Sequence, residues 1–123
     1  MKPLNYNKRE LKILEILWRT NGTDSAEIIN ELPGKKLAFS TVSMSLRMMK
    51  NKGLIQLCRD KNKYVYTAVS SREEFIVTIS EQIITDYFSG SPKGFLKFLL
   101  DNGGISLTDL KSLISPDTAL PFN

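Results

Sequence analysis

Residues 54–69 leave the chain little local freedom. Leu54-Ile55-Gln56-Leu57-Cys58-Arg59 and Tyr64-Val65-Tyr66-Thr67-Ala68-Val69 are runs rich in β-branched and aromatic side chains. Asp60-Lys61-Asn62-Lys63 stands between them, polar and suited to a turn. The pattern predicts an antiparallel hairpin with a basic tip. Three helical segments precede it. In the first, Asn7 is a good N-cap, Glu10 completes a capping-box pattern, and Leu11, Ile13, Leu14, Leu17 and Trp18 form an apolar stripe that Asn21-Gly22 ends. A second short helix begins near Asp24, with Glu27 at N3, turns Ile28, Ile29 and Leu32 inward, and stops at Pro33-Gly34. A third runs from about Ser40 to Asn51 and stops at Gly53. Three helices followed by a basic hairpin is a winged helix-turn-helix.

The third helix carries the functional signal. Val42, Leu46 and Met49 are spaced i, i+4, i+7 and set its buried face. At about 100° per residue, Ser40, Ser43, Met44, Arg47 and Asn51 fall on the far side, with Met48 near it. That face is small and polar around one arginine. A solvated helix would carry more Glu and Lys there. Small side chains near the N-terminus let a backbone come close to a groove.

Charge is unevenly spread in the same sense. Residues 1–72 hold 14 Lys and Arg against 6 Asp and Glu, for +8; residues 73–123 hold 3 against 7, for −4. Between Lys35 and Lys63 the cations are Lys35, Lys36, Arg47, Lys50, Lys52, Arg59, Lys61 and Lys63, with Asp60 the only acid. A basic segment on a structured domain is the electrostatic footprint of phosphate contact.

The rest of the chain reads as helices. Ser71 caps a helix of roughly 18 residues, with Glu74 completing a capping box and Phe75, Ile76, Ile79, Ile83, Ile84, Tyr87 and Phe88 making a wide apolar face. Gly90-Ser91-Pro92 breaks the chain, and Pro92 suits N1 of a helix carrying Phe95, Leu96, Phe98, Leu99 and Leu100 to Gly103-Gly104. Ser106 and Asp109 start a last helix with Leu107, Leu110, Leu113 and Ile114, which runs to Pro116. Three helices in some 45 residues cannot bury such faces alone. They either pack back on the winged helix or meet a second copy. The second is favoured, because twofold dimers are the commonest soluble assembly and would present two recognition helices to a palindromic site. The expected organisation is a winged-helix DNA-binding domain over 1–70, a helical dimerisation domain over 71–115 and a flexible tail over 116–123.

Composition removes other classes. The 123 residues include no histidine and one cysteine, Cys58. That excludes Ser-His and Cys-His nucleophiles and the commonest zinc ligand. With no Gly-rich phosphate loop and no metal-ligand spacing, neither an enzyme, a metal nor a cofactor is expected. Glu10, Glu15, Glu27, Glu31, Glu73, Glu74 and Glu81 read as caps and exposed helix faces. Apolar runs fall far short of the roughly 20 residues of a membrane helix, and Met1-Lys2-Pro3 leads into no signal-peptide core. A lone cysteine fits a reducing cytoplasm.

From about residue 4 to residue 113 the ordered set resembles the penicillinase and methicillin-resistance repressors. Glu10-Leu11-Lys12-Ile13-Leu14-Glu15-Ile16-Leu17-Trp18 is similar to that family's first helix, and Glu27-Ile28 through Leu32 to its second. Ser40-Thr41-Val42, Leu46 and Lys52-Gly53-Leu54-Ile55 follow its signature, and Tyr64-Val65-Tyr66 resembles its second wing strand. The resemblance implies a homodimer that binds a DNA operator through its N-terminal domain, dimerises through its C-terminal helices and represses β-lactamase or related resistance genes. It also implies a membrane sensor protease that relieves repression by cutting the C-terminal domain. Departures from the family pattern are Met48 where Arg is common, Met44 where Thr is frequent, and no Asn before the expected cut near Phe98-Leu99. The cysteine cluster of the copper-responsive branch is absent, with Cys58 alone in the wing.

The residue roles follow. Ser40, Thr41, Ser43, Met44 and Arg47 are candidates for groove and phosphate contact. Arg47 either pairs with guanine O6/N7 or touches phosphate alone. Thr41 either donates to a phosphate at the helix start or caps it. Met44 and Met48 meet thymine methyls or serve as packing contacts. Lys50 and Lys52 are phosphate candidates. Lys61, Asn62 and Lys63 reach flanking backbone or minor groove, or form a solvated turn. Tyr64 and Tyr66 are expected to pack wing on core, Trp18 to be core and Cys58 to be buried or half-buried in its strand. Phe75, Ile79, Ile83, Tyr87, Phe95, Phe98, Leu99, Leu110 and Leu113 are the dimerisation candidates. The competing class is a winged-helix protein-interaction module without specific DNA binding; a weaker one is a non-specific architectural DNA binder.

Overall fold

Five of the six described helices begin on a side-chain cap. The computed structural model describes residues 4–32 and 38–114. The expected stop at Pro33-Gly34, the cations Lys35 and Lys36, Met1-Lys2-Pro3 and the tail 116–123 lie outside them. The elements are α1 (Lys8–Thr20), α2 (Ser25–Glu31), α3 (Phe39–Lys52), β1 (Ile55–Asp60), β2 (Lys63–Ala68), α4 (Arg72–Phe88), α5 (Pro92–Asp101) and α6 (Leu107–Leu113). This is a mostly helical chain with one hairpin placed as in a winged helix-turn-helix. Asn7 opens α1 with a full capping box: its Oδ1 accepts from Glu10 N at 2.8 Å, and its own N–H donates to Glu10 Oε1 at 2.9 Å. Asp24 accepts from Glu27 N at the start of α2. Ser71 with Glu74 and Ser106 with Asp109 close boxes at α4 and α6. Pro92 stands in the first turn of α5 behind the N-cap Ser91.

β1 and β2 pair antiparallel, Ile55 opposite Ala68 through Asp60 opposite Lys63. Lys61 and Asn62 make the two-residue turn with φ of 48° and 71°. Positive φ at both central positions is the requirement of a type I′ hairpin turn, whose twist matches that of the strands. Thr23 adds a bridge to Tyr66 on the other edge of β2: Thr23 N–H donates to Tyr66 O at 3.1 Å, and Tyr66 N–H to Thr23 O at 2.8 Å. The turn between α1 and α2 is thus stitched to the wing. Gly22 makes the approach possible. Its φ is 107°, and a Cβ there would stand 2.7 Å from Thr67 Cγ2 and 3.2 Å from Tyr66 O.

The chain forms two compact units, one ending at Ile79 and the other beginning at Ser80. The first has a closed core of Ile13, Leu14, Ile16, Leu17, Ile28, Val42, Leu46, Met49, Leu54, Ile55 and Phe75. Trp18 packs against it half-buried and donates Nε1–H to Ser70 O at 2.9 Å. Fully burying one such aliphatic side chain stabilises by about 1.5–3 kcal/mol. In the second unit, Phe88 contacts Phe95 and Phe98 with ring centroids 5.3 and 5.5 Å apart. Among its described residues none is buried.

Three expectations change here. Phe75 is a core residue of the winged-helix unit, 4% exposed, with its ring edge-on to Tyr6 and Trp18 at 5.1 and 5.2 Å. Ile79 packs half-buried on the same core. These two dimerisation candidates belong to the first unit, because the opening turns of α4 complete its core and carry it to Ile79. Tyr64 does not pack wing on core as Tyr66 does: it is 60% exposed, and the Arg59 guanidinium lies over its ring at 5.8 Å. Glu10 is not on an exposed face but 2% exposed within the core.

Candidate nucleic-acid interface

α3 is held from behind. Val42, Leu46 and Met49 are fully buried and fix which side of the helix faces outward. Two i, i+4 ridges run along that outer side. Ser43, Arg47 and Asn51 form a polar ridge. Ser40, Met44 and Met48 form the other, small at its start and apolar beyond. Met44 is 52% and Met48 48% exposed, while Ser40, Arg47 and Asn51 are also exposed and Thr41 and Ser43 half-buried. α3 contains no acidic residue, and its last turn carries Lys50 and Lys52. Its N-cap is Ala38, with no side-chain cap on the first turn, so the helix starts one residue earlier than expected, at Phe39. Gly53 ends it in the left-handed region at φ 81°. Thr41 therefore does not cap the helix; it stands in its first turn.

Lys50 is exposed, as a phosphate contact requires. Lys52 has other employment. Its Nζ donates to Glu10 Oε1 at 2.8 Å and Oε2 at 3.0 Å. The Lys52 side chain is 23% and that of Glu10 2% exposed. Glu10 thus takes donors from Asn7 N–H and Lys52, tying the start of α1 to the end of α3. Lys52 orients α3 from the inner side, and its place among the phosphate candidates is withdrawn because its ammonium is already committed to a buried carboxylate.

The hairpin turn carries the second basic group. Lys61, Asn62 and Lys63 are all exposed, with Arg59 and Tyr64 stacked just behind them. All belong to the first unit, as do the α3 candidates. Cys58 is half-buried, its Sγ 3.6 Å from Thr67 Oγ1. The sequence reading missed Phe39, 63% exposed at the start of α3, and the Arg59–Tyr64 stack. The signal for the stack was present: once the turn is set at Lys61-Asn62, the register puts Arg59 directly opposite Tyr64.

The remaining dimerisation candidates all lie in the second unit. Ile83, Tyr87, Phe98 and Leu113 are 36%, 78%, 49% and 52% exposed, while Phe95, Leu99 and Leu110 are half-buried. Leu107 and Ile114 are exposed beside them at 58% and 66%.

A cleft of about 670 Å³ opens elsewhere on the first unit, lined by Glu15, Trp18, Arg19, Ser70, Arg72 and Glu73 among others. Its charges alternate in sign, and no α3 residue lines it. Among the described residues no group of three or more His, Cys, Asp or Glu could hold a metal, and no helix is long and apolar enough to cross a membrane.

The sequence profile of the penicillinase repressors matches residues 7–116, which takes in all eight elements. The chain belongs to the penicillinase repressor family. This is a family of transcriptional repressors, not of enzymes. A penicillinase repressor of Bacillus licheniformis is 22% identical over 106 residues, covering 85% of this chain and 82% of that protein. Family membership and the three-helix-plus-hairpin order agree on the architecture.

Proposed function

We propose that this penicillinase repressor family protein represses transcription as a homodimer on a palindromic double-stranded DNA operator, at genes of the β-lactamase resistance or stress-response type. One observation carries the reading. α3 buries Val42, Leu46 and Met49 completely and turns outward an acid-free surface, with Ser40, Ser43 and Asn51 around Arg47 beside the exposed Met44 and Met48. A helix shaped this way fits a major groove, where small side chains admit the backbone and an arginine meets guanine O6/N7. Ser40, Thr41, Ser43, Met44 and Arg47 then serve the groove and its bordering phosphates. Lys50 serves the backbone, and Lys61, Asn62 and Lys63 follow it beyond the groove.

The exposed apolar residues of the second unit support the homodimer. Ile83, Tyr87, Phe98 and Leu113 are large hydrophobics that a second copy would cover. Regulation by a membrane sensor protease gains less support. Phe98-Leu99 lies inside α5, so a protease would have to unwind the helix to cut there. The cytoplasm is the compartment in which such a protein would act.

The test is fluorescence anisotropy of the full chain on its own upstream intergenic DNA, against scrambled DNA, through a salt series. A preference of about 10³-fold or more is expected. Equal, steeply salt-dependent binding to both would leave only an architectural DNA binder. No affinity at low salt would favour the protein-interaction module.

A further inference from the structure

The recognition face carries an apolar ridge that phosphate and guanine contacts do not use. Met44 and Met48 stand one turn apart on α3, each about half exposed. Methionines so exposed on a helix whose other side is fully buried serve no intramolecular packing role of that size. An apolar protein groove would cover them, but the surrounding charge opposes that partner. α3 has no acid, Arg47 lies on the neighbouring ridge, and Lys50 follows in the last turn. The partner is therefore polyanionic and presents apolar spots at helical spacing. In duplex DNA the major groove offers one such group, the C5-methyl of thymine.

We infer that Met44 and Met48 read the methyl groups of two thymines in each operator half-site, about two base steps apart. The inference rests on the DNA-binding reading above. The spacing follows from geometry. One helical turn of four residues advances about 6 Å at 1.5 Å per residue, against about 3.4 Å per base step. The thioether stem is unbranched and adapts to small differences in register. The two ridges thus divide the work: Arg47 takes a hydrogen-bonding base edge, and the methionines select thymine over cytosine alongside it. Cytosine offers an amino donor and no methyl at the corresponding positions, and a methionine can pair with neither.

The operator sequence need not be known for the test. A 30-base-pair duplex is first enriched from a random pool by the full-length wild-type protein. It is then synthesised twice, with thymine and with deoxyuridine, which lacks only the methyl. Wild-type protein should bind the deoxyuridine duplex about fourfold more weakly per methyl lost, about fifteenfold for the two of one half-site and about 200-fold for the four of a palindromic site. Met44→Gln/Met48→Gln keeps side-chain length and a helix-forming residue at exposed positions, and should bind the two duplexes within twofold of each other. Arg47→Ala should weaken binding to both while keeping the wild-type ratio.

Equal binding of both duplexes by the wild type would overturn the inference and leave the DNA-binding reading standing. So would a methyl dependence that persists in the double variant, because another side chain would then read the methyls. Failure to enrich any duplex would overturn both readings, and a protein partner would then own the methionine ridge.

Discussion

The two units of this chain are built from similar apolar content and differ in what they do with it. Among the described residues, the winged-helix unit shuts eleven hydrophobic side chains away from solvent within its own fold. In the second unit none of the described residues is buried, and Tyr87, Phe98, Leu107, Leu113 and Ile114 stand largely in solvent. Well-formed helices are therefore not enough. α5 and α6 have good caps and clear apolar stripes, yet two short helices and the end of α4 do not enclose a core. A closed core fixes the position of α3 to within side-chain packing tolerance, as the proposed DNA reading would require. An unclosed one leaves surface for assembly.

The widest separation between the units should come from truncating one aliphatic side chain. Ile13→Ala removes a fully buried side chain and should cost about 2–5 kcal/mol in urea unfolding. A loss below about 1 kcal/mol would mean that the first core is looser than its burial indicates.

The next effect sharpens the picture of how α3 is held. Lys52→Met leaves the Glu10 carboxylate inside the core without its cation and should cost about 3 kcal/mol. Glu10→Leu combined with Lys52→Met should recover most of that in a double-mutant cycle. If the single variant costs nothing, the pair does not position α3.

Phe98→Ala should act on assembly instead of on the first core. The expected result is at least tenfold weaker dimerisation by sedimentation equilibrium, about 1.4 kcal/mol, with the urea midpoint of the monomer unchanged. A wild-type chain that stays monomeric at high micromolar concentration would break the comparison.

The smallest effects are pH-dependent and sit at helix ends. The Ser71 backbone N–H, then its hydroxyl, hold the exposed Glu74 carboxyl below its ordinary value. A depressed carboxylate lends stability above its unfolded pKa and loses it as pH falls through the folded one. Amide protection in the first turn of α4 should therefore fall as pH drops through that value; Glu74→Gln should remove the pH dependence, and Ser71→Ala, which keeps the backbone N–H, only the smaller part of it. Lys97 runs the other way. Its hydrogen bond to Asp101, then the charge of that carboxylate, raise its pKa. Its contribution is present at neutral pH and fades as pH rises through the folded value, so Asp101→Asn should flatten the alkaline side.

Much of this was legible in the sequence because it is local. The caps at Asn7, Asp24, Ser71 and Ser106, the buried stripe Val42-Leu46-Met49 and the hairpin about Lys61-Asn62 all depend on residues within a few positions of one another. What escaped is long-range. Glu10 and Lys52 are 42 residues apart, and a capping glutamate looks the same in sequence whether water or a lysine covers it. Phe75 and Ile79 lie on the same apolar stripe as Ile83, and periodicity does not say which partner each turn of a helix meets. That is why α4 reads as one dimerisation face when its first turns complete the winged-helix core. Tyr64 and Tyr66 both face one side of β2, but the sheet leaves the core before it reaches Tyr64. For the DNA-facing candidates, helical periodicity identified the outward face of α3, and Lys52 moved from the outer role to the inner one.

The Glu10–Lys52 pair also bears on how this protein descends. A lone carboxylate in that core is worse than either the pair or two apolar residues. Single substitutions at one position therefore pass through a destabilised intermediate. Relatives should keep both charges or have lost both, with mixed combinations rare. A lineage that crossed to an apolar pair would be free to change the tilt of α3.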